Sequence, residues 1–185
     1  INAAAVETVV ITHLHYDHAG GLEQFPVAQF HLQDSEMAFA TGRHMSGGAQ
    51  QYAFAVEDVV AMVRRVYAGR VTFHDGDADI APGISVHHIG GHTAGLQCVR
   101  VFTQRGWVVL ASDASHFYAN MEQARPFPII YNHAQMLAGY DVLRRLADSE
   151  PHIIPGHDPL VLARYPAASE ALRGSAARLD LSPHA

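Results

Sequence analysis

The sequence predicts a layered α/β domain. Apolar β-branched runs alternate along the chain with stretches whose apolar residues recur at helical spacing, the pattern of helices packed on sheets. Four of the strand-like runs end at a turn carrying an imidazole or an acid. No internal repeat, low-complexity tract, charge block or linker interrupts the 185 residues. The expectation is therefore a single domain over residues 1–185 that can bury a sizeable core.

Each element has its own signal. Val6–Ile11 and Val27–Leu32 read as strands, and Ser35–Thr41 as a helix with Asp34 as its N-cap. The glycine-bearing stretch 42–51 reads as a loop. Over Val56–Tyr67, Val56, Val59, Val60, Val63 and Tyr67 share one helical face, with Glu57, Asp58, Arg64 and Arg65 outside. Val71–His74 and Ile84–Ile89 read as strands joined through Asp75-Gly76-Asp77. Leu96–Thr103 and Trp107–Ala111 read as a hairpin around Gln104-Arg105-Gly106, with Cys98 a core thiol. Residues 115–130 read as irregular, with Phe117, Tyr118 and Phe127 clustered. Asn132 and Gln135 form a capping box for a helix over 134–147, with Leu137, Tyr140, Leu143, Arg144 and Leu146 as its stripe. Ile153–Ile154 reads as a short strand and 167–179 as a surface helix.

Composition narrows the function. A formal charge of −6 and a pI near 6.1 leave no basic stripe for phosphates, so nucleic acid is not an expected partner. The single cysteine allows no internal disulfide and fits a reducing, cytoplasmic compartment. No apolar run has transmembrane length, and no membrane partner is expected.

The most informative stretch is Thr12-His13-Leu14-His15-Tyr16-Asp17-His18-Ala19-Gly20-Gly21. Neutral imidazole and carboxylate are the ligands that zinc and similar borderline metals take. Placed just past a buried strand, His13, His15, Asp17 and His18 can converge on one point. Three later strand ends add His92 after Gly90-Gly91, Asp113 after Ser112, and His157 after Gly156. Among the other histidines, His87 and His88 face opposite sides of a strand, so at most one reaches the cluster. His31, His44, His74, His133, His152 and His184 read as surface or supporting residues. Asp158 reads as a turn residue or an orienter of His157.

His13-x-His15-x-Asp17-His18 followed by His92, Asp113 and His157 resembles the metallo-β-lactamase superfamily over essentially the whole chain. Asp113-Ala114-Ser115 and Pro155-Gly156-His157-Asp158-Pro159 resemble most its N-acyl-homoserine lactonases, the quorum-quenching lactone hydrolases. The resemblance implies a four-layer αββα sandwich. It also implies strands before the metal motif that this sequence lacks, as if it were the C-terminal two-thirds of a longer domain. It implies two divalent metal ions, zinc foremost with manganese, iron or cobalt open. His13, His15 and His92 would hold one metal, Asp17, His18 and His157 the other, and Asp113 would bridge them. A metal-bridging hydroxide would then open an ester or lactone.

Departures and absences refine that reading. The superfamily's di-iron redox branch carries glutamate where this chain has His15, and its cysteine-using β-lactamases have a cysteine where this chain has Asp113. The lactonases place a substrate-contacting tyrosine three residues after the bridging aspartate. Here that residue is His116, and the nearest tyrosine is Tyr118, so both are candidate substrate contacts. Phe117, Tyr118 and Phe127 are candidates to line an acyl groove. The expected partner is a small lactone or ester, with homodimerisation left open. A glyoxalase II-like thioester hydrolase and a catalytically silent metal-binding relative are the alternatives.

Overall fold

The structure is a computed structural model that describes residues 1–184. In chain order its elements are β1 (Thr8–Val10), a one-turn helix α1 (Tyr16–Ala19), β2 (Gln29–Gln33), α2 (Asp34–Thr41), α3 (Val56–Tyr67) and β3 (Val71–His74). There follow β4 (Ala78–Ala81), β5 (Ile84–His88), β6 (Gln97–Thr103), β7 (Gly106–Ser112), α4 (Tyr118–Glu122), α5 (His133–Leu146), β8 (Ile153–Pro155) and α6 (Leu160–Arg164). Strands β1-β2-β3 form a parallel sheet. Strands β4-β5-β6-β7-β8 form a second sheet, antiparallel except for the β7–β8 pair.

Each sheet has its own helix-covered core. Phe30 and Leu32 of β2 pack with Val59 and Met62 of α3 and with Ile11, Leu14 and Leu22 around the first strand end. Cys98, Val109 and Ile153 of the second sheet pack with Tyr140 and Leu143 of α5. The sheets meet at Gln97: its backbone N–H donates to Thr12 O at 3.0 Å, and its side-chain amide donates to Ile11 O at 2.9 Å. This contact brings the end of β1 beside the start of β6, and so brings the first strand end to the second sheet. The expected αββα layering is present.

Several local expectations are corrected. Asp34 is the first residue of α2 rather than its cap; Gln33 holds the cap position while its side chain bonds Gly76 and Gln97. On α3 the buried residues are Val59 and Met62, whereas Val56 and Tyr67 are 69% and 90% exposed. Periodicity marks the apolar positions, but the approach angle of the sheet chooses which of them are covered. The turn after β3 contains an additional strand, β4. The capping box is half made: Asn132 Oδ1 accepts from Gln135 N–H at 3.1 Å, while the Gln135 side chain turns to Gly91. Residues 167–179 form no α-helix. Backbone bonds Ala168 N–H to Ala176 O and Arg178 N–H to Pro166 O fold them back on themselves, and Ala177 and Leu179 cover Val108 and Ile154.

Cys98 is in the core, as expected, at 0% exposure, and burial pushes its thiol pKa up to about 12. Only the thiolate reacts readily. In native buffer Cys98 is expected to resist a thiol reagent and to be labelled at the rate of unfolding; rapid native labelling would show that β6 opens locally.

Candidate metal centre

Four strand ends of two sheets deliver the site. The run after β1 carries His13 and His15, and α1 carries Asp17 and His18. Gly90 and Gly91, both at positive φ (67° and 86°), turn the chain after β5 so that His92 faces the same point. Ser112, strained at φ 49°, precedes Asp113 at the end of β7, and its hydroxyl lies 2.9 Å from that of Thr12. A non-glycine residue in this region is uncommon and tends to occur at functional sites. Gly156 lets the chain after β8 pass Ser112, because a Cβ there would lie 2.8 Å from its carbonyl oxygen.

All seven predicted residues meet. The ring nitrogens of His13, His15 and His92 lie 2.9–3.2 Å from one another. Asp113 Oδ2 is 3.3 Å from His92 Nε2 and 3.9 Å from His13 Nε2. Its other oxygen, Oδ1, is 3.1 Å from both His18 Nε2 and His157 Nε2. Asp17 Oδ2 closes the outer side at 3.6 Å from His18 and 3.8 Å from His157. One carboxylate thus stands between two sets of donors.

Their electrostatics suit cation binding. His92 Nδ1 donates to the Ile129 carbonyl at 2.7 Å, which leaves the Nε2 lone pair facing the cluster. Burial holds His13 well below the ordinary histidine range, His15 at about 3 and His92 at about 4, so all three are neutral at pH 7. For Asp113 burial alone would raise the pKa. Hydrogen bonding from His116, with His18 and His13 nearby, outweighs it and keeps the group an anion. Around His18 burial works downward, and Asp113 overcomes it and raises the pKa. Unprotonated nitrogens crowded within 3.2 Å of one another lack a proton to share, and a borderline cation satisfies them together. The arrangement therefore fits cation binding, with His13, His15 and His92 forming one group of converging donors and Asp17, His18 and His157 another.

The two further candidates part company. His116 Nε2 donates to Asp113 Oδ2 at 2.7 Å, and its ring stacks on Phe127 at 3.3 Å between centroids. Tyr118 does not face the cluster. Its ring is buried with Met121 and Leu143 beneath the Arg164 guanidinium, and the residue lines a separate cavity of about 320 Å³ that none of the seven residues lines. The cause is α4, which begins at Tyr118 and carries it into the core. Asp158 fixes that turn by accepting from Tyr118 N–H at 2.9 Å, so it supports α4 rather than His157. His87 pairs with Asp77 and His88 with Ala94 O, away from the cluster. Residues with no sequence signal also appear: Phe54 stands edge-on to His15, and Phe39 and Tyr131 continue an aromatic wall from it.

The family model described as the metallo-beta-lactamase superfamily matches residues 1–163. The chain belongs to that superfamily. Its metallo-beta-lactamase relatives include the N-acyl homoserine lactonase AiiB of Agrobacterium fabrum, 29% identical over 163 residues that cover 83% of this chain and 57% of the relative. AiiA of Bacillus thuringiensis subsp. kurstaki is 28% identical over 152 residues, covering 81% and 55%. Among solved structures, an N-acyl homoserine lactone hydrolase with the product N-hexanoyl-L-homoserine at its catalytic metal center superposes with a TM-score of 0.66 at 26% identity, over 80% of this chain and 54% of that one. The dizinc lactonase AidC, at 16% identity and a TM-score of 0.65 over 85% of this chain and 59% of that one, shares the fold. The chain spans about half the length of the curated relatives it matches. Among the described residues no helix is long and apolar enough to cross a membrane.

Proposed function

We propose that this protein is a metal-dependent hydrolase that opens N-acyl homoserine lactones or a closely related small lactone, using two divalent ions, zinc by preference. The observation that supports this most directly is Asp113, whose two oxygens each face a different donor set. His13, His15 and His92 would hold one ion, and Asp17, His18 and His157 the other. When bound, such a pair supplies Lewis acidity toward a carbonyl and an activated water at neutral pH.

The chain's own groups would do the rest. Asp113 supplies the negative charge that lets two cations sit close together. His116 donates from Nε2 to Asp113 Oδ2, and that donor would turn from Asp113 to a lactone or its amide to serve the substrate-contacting role that the lactonase resemblance implies for this position. The Phe127 ring fixes the His116 plane, and Phe117, 42% exposed beside it, offers an apolar lip for an acyl chain. Tyr118 drops out of that groove because its side chain is in the core. A carboxylic ester needs no serine nucleophile in such a site.

The test is reconstitution with excess zinc, metal counting, and pH-indicator hydrolysis of N-hexanoyl homoserine lactone beside a glutathione thioester. Two ions per chain and lactone opening at a rate well above the thioester are expected. No more than one ion would remove the dinuclear reading. Thioester cleavage with the lactone untouched would move the protein to the glyoxalase II-like alternative, and two ions without either activity to the silent one.

A further inference from the structure

Glu36 has no part in the ligand set, yet it is a fully buried acid at the N-terminal end of α2, at 0% exposure. Among the described residues no arginine, lysine or histidine comes within ion-pair distance of it. Burying such a group is costly unless donors surround it. Three do. Oε1 accepts from Leu14 N–H at 2.9 Å. Oε2 accepts from Thr93 Oγ1–H at 2.6 Å and from Gly95 N–H at 3.0 Å.

The identity of those donors is informative. Leu14 lies between His13 and His15, and Thr93 follows His92. Leu14 and Thr93 are themselves at 0% exposure. One carboxylate therefore ties together the two loops, 79 residues apart in sequence, whose imidazoles meet at 2.9–3.2 Å. Gly95 shows how closely this joint is built: a Cβ there would overlap the Glu36 backbone and wedge the loop away from α2. The chemistry calls for an acid rather than an amide. Donors approach both oxygens, and a glutamine would present its NH2 to one of them.

We propose that Glu36 is a positioning residue for the three-histidine half of the centre, setting the spacing of the loop carrying His13 and His15 against the loop carrying His92. The proposal rests on the dinuclear reading above. It assigns Glu36 no contact with substrate or metal. It predicts a smaller effect on the half of the centre formed by Asp17, His18 and His157, since no hydrogen bond of Glu36 reaches α1 or the β8 end.

The test loads wild type, Glu36→Gln and Thr93→Val with cobalt(II) and reads visible absorption, stepwise affinity by chelator competition, and the melting temperature of the metal-free chain. Glu36→Gln is expected to weaken one of the two affinities by roughly 10–100-fold, the scale for groups that orient ligands, and to alter one cobalt band while the other persists. Thr93→Val, which removes a single donor, should shift the same band and the same affinity less. A folded Glu36→Gln chain with unchanged bands and affinities, and only a lower melting temperature, would overturn the proposal and leave Glu36 a buttress of the fold. If Glu36→Gln fails to fold, an unchanged spectrum in Thr93→Val overturns it, and a shifted one supports it. A wild type that binds no cobalt fails the dinuclear reading itself, and this proposal with it.

Discussion

Asp113→Asn is expected to lower lactone opening at least about 100-fold while the fold survives, the scale for losing a major electrostatic stabiliser. The side chain is 3% exposed and accepts from His116 at 2.7 Å, so an amide of the same shape fits the space. What it cannot supply is the charge. In the proposed centre two cations would then face only Asp17 as an anion, and an amide nitrogen would replace one of the two carboxylate oxygens that stand between the donor sets. Metal content should fall below two per chain, and kcat/KM on N-hexanoyl homoserine lactone should fall with it. A variant within a few-fold of wild type, with both ions retained, would show that Asp113 does not join the two sets.

Gly91→Ala is expected to cost about 2–5 kcal/mol of stability, measured by denaturant unfolding. Two terms add. A left-handed backbone, here at φ 86°, costs an alanine about 1–2 kcal/mol. The new methyl would also lie 2.6 Å from the Met136 backbone nitrogen at the start of α5, an overlap costing about 1–3 kcal/mol to relieve. That helix has little room to retreat, because Tyr131 and Asn132 N–H both bond the Gly91 carbonyl. Gly47→Ala separates the terms: its φ is 84° and nothing lies within 4 Å of its Cβ position, so only the conformational cost remains. Equal losses in the two variants would mean that α5 gives way without resistance.

The two variants test different kinds of information. The Asp113 prediction could be written before the fold was known, because ligand-type side chains at strand ends announce a metal cluster and the resemblance to the superfamily implies the bridging role. The sequence also determined the extent of α3, the core placement of Cys98 and the hairpin of β6 and β7. In each, local periodicity and turn residues agree with the tertiary environment. Where the outcome depended on what a neighbouring element covers, local pattern was silent. Val56 and Tyr67 satisfy the helical period of α3 and still lie exposed. Residues 167–179 have helix-forming alanines and leucines, but their backbone found partners in each other. Tyr118 and His116 are two positions apart on one loop, and only the start of α4 decided that one faces Asp113 and the other the core. Glu36 is the clearest case. An acid in the first turn of a short helix reads as a solvated residue, because a carboxylate's usual partner is water. Its three donors come from residues 14, 93 and 95, brought together only when the two sheets dock. Chemistry that resides in a side chain could be read in one dimension; burial and long-range hydrogen bonding are properties of the packed chain.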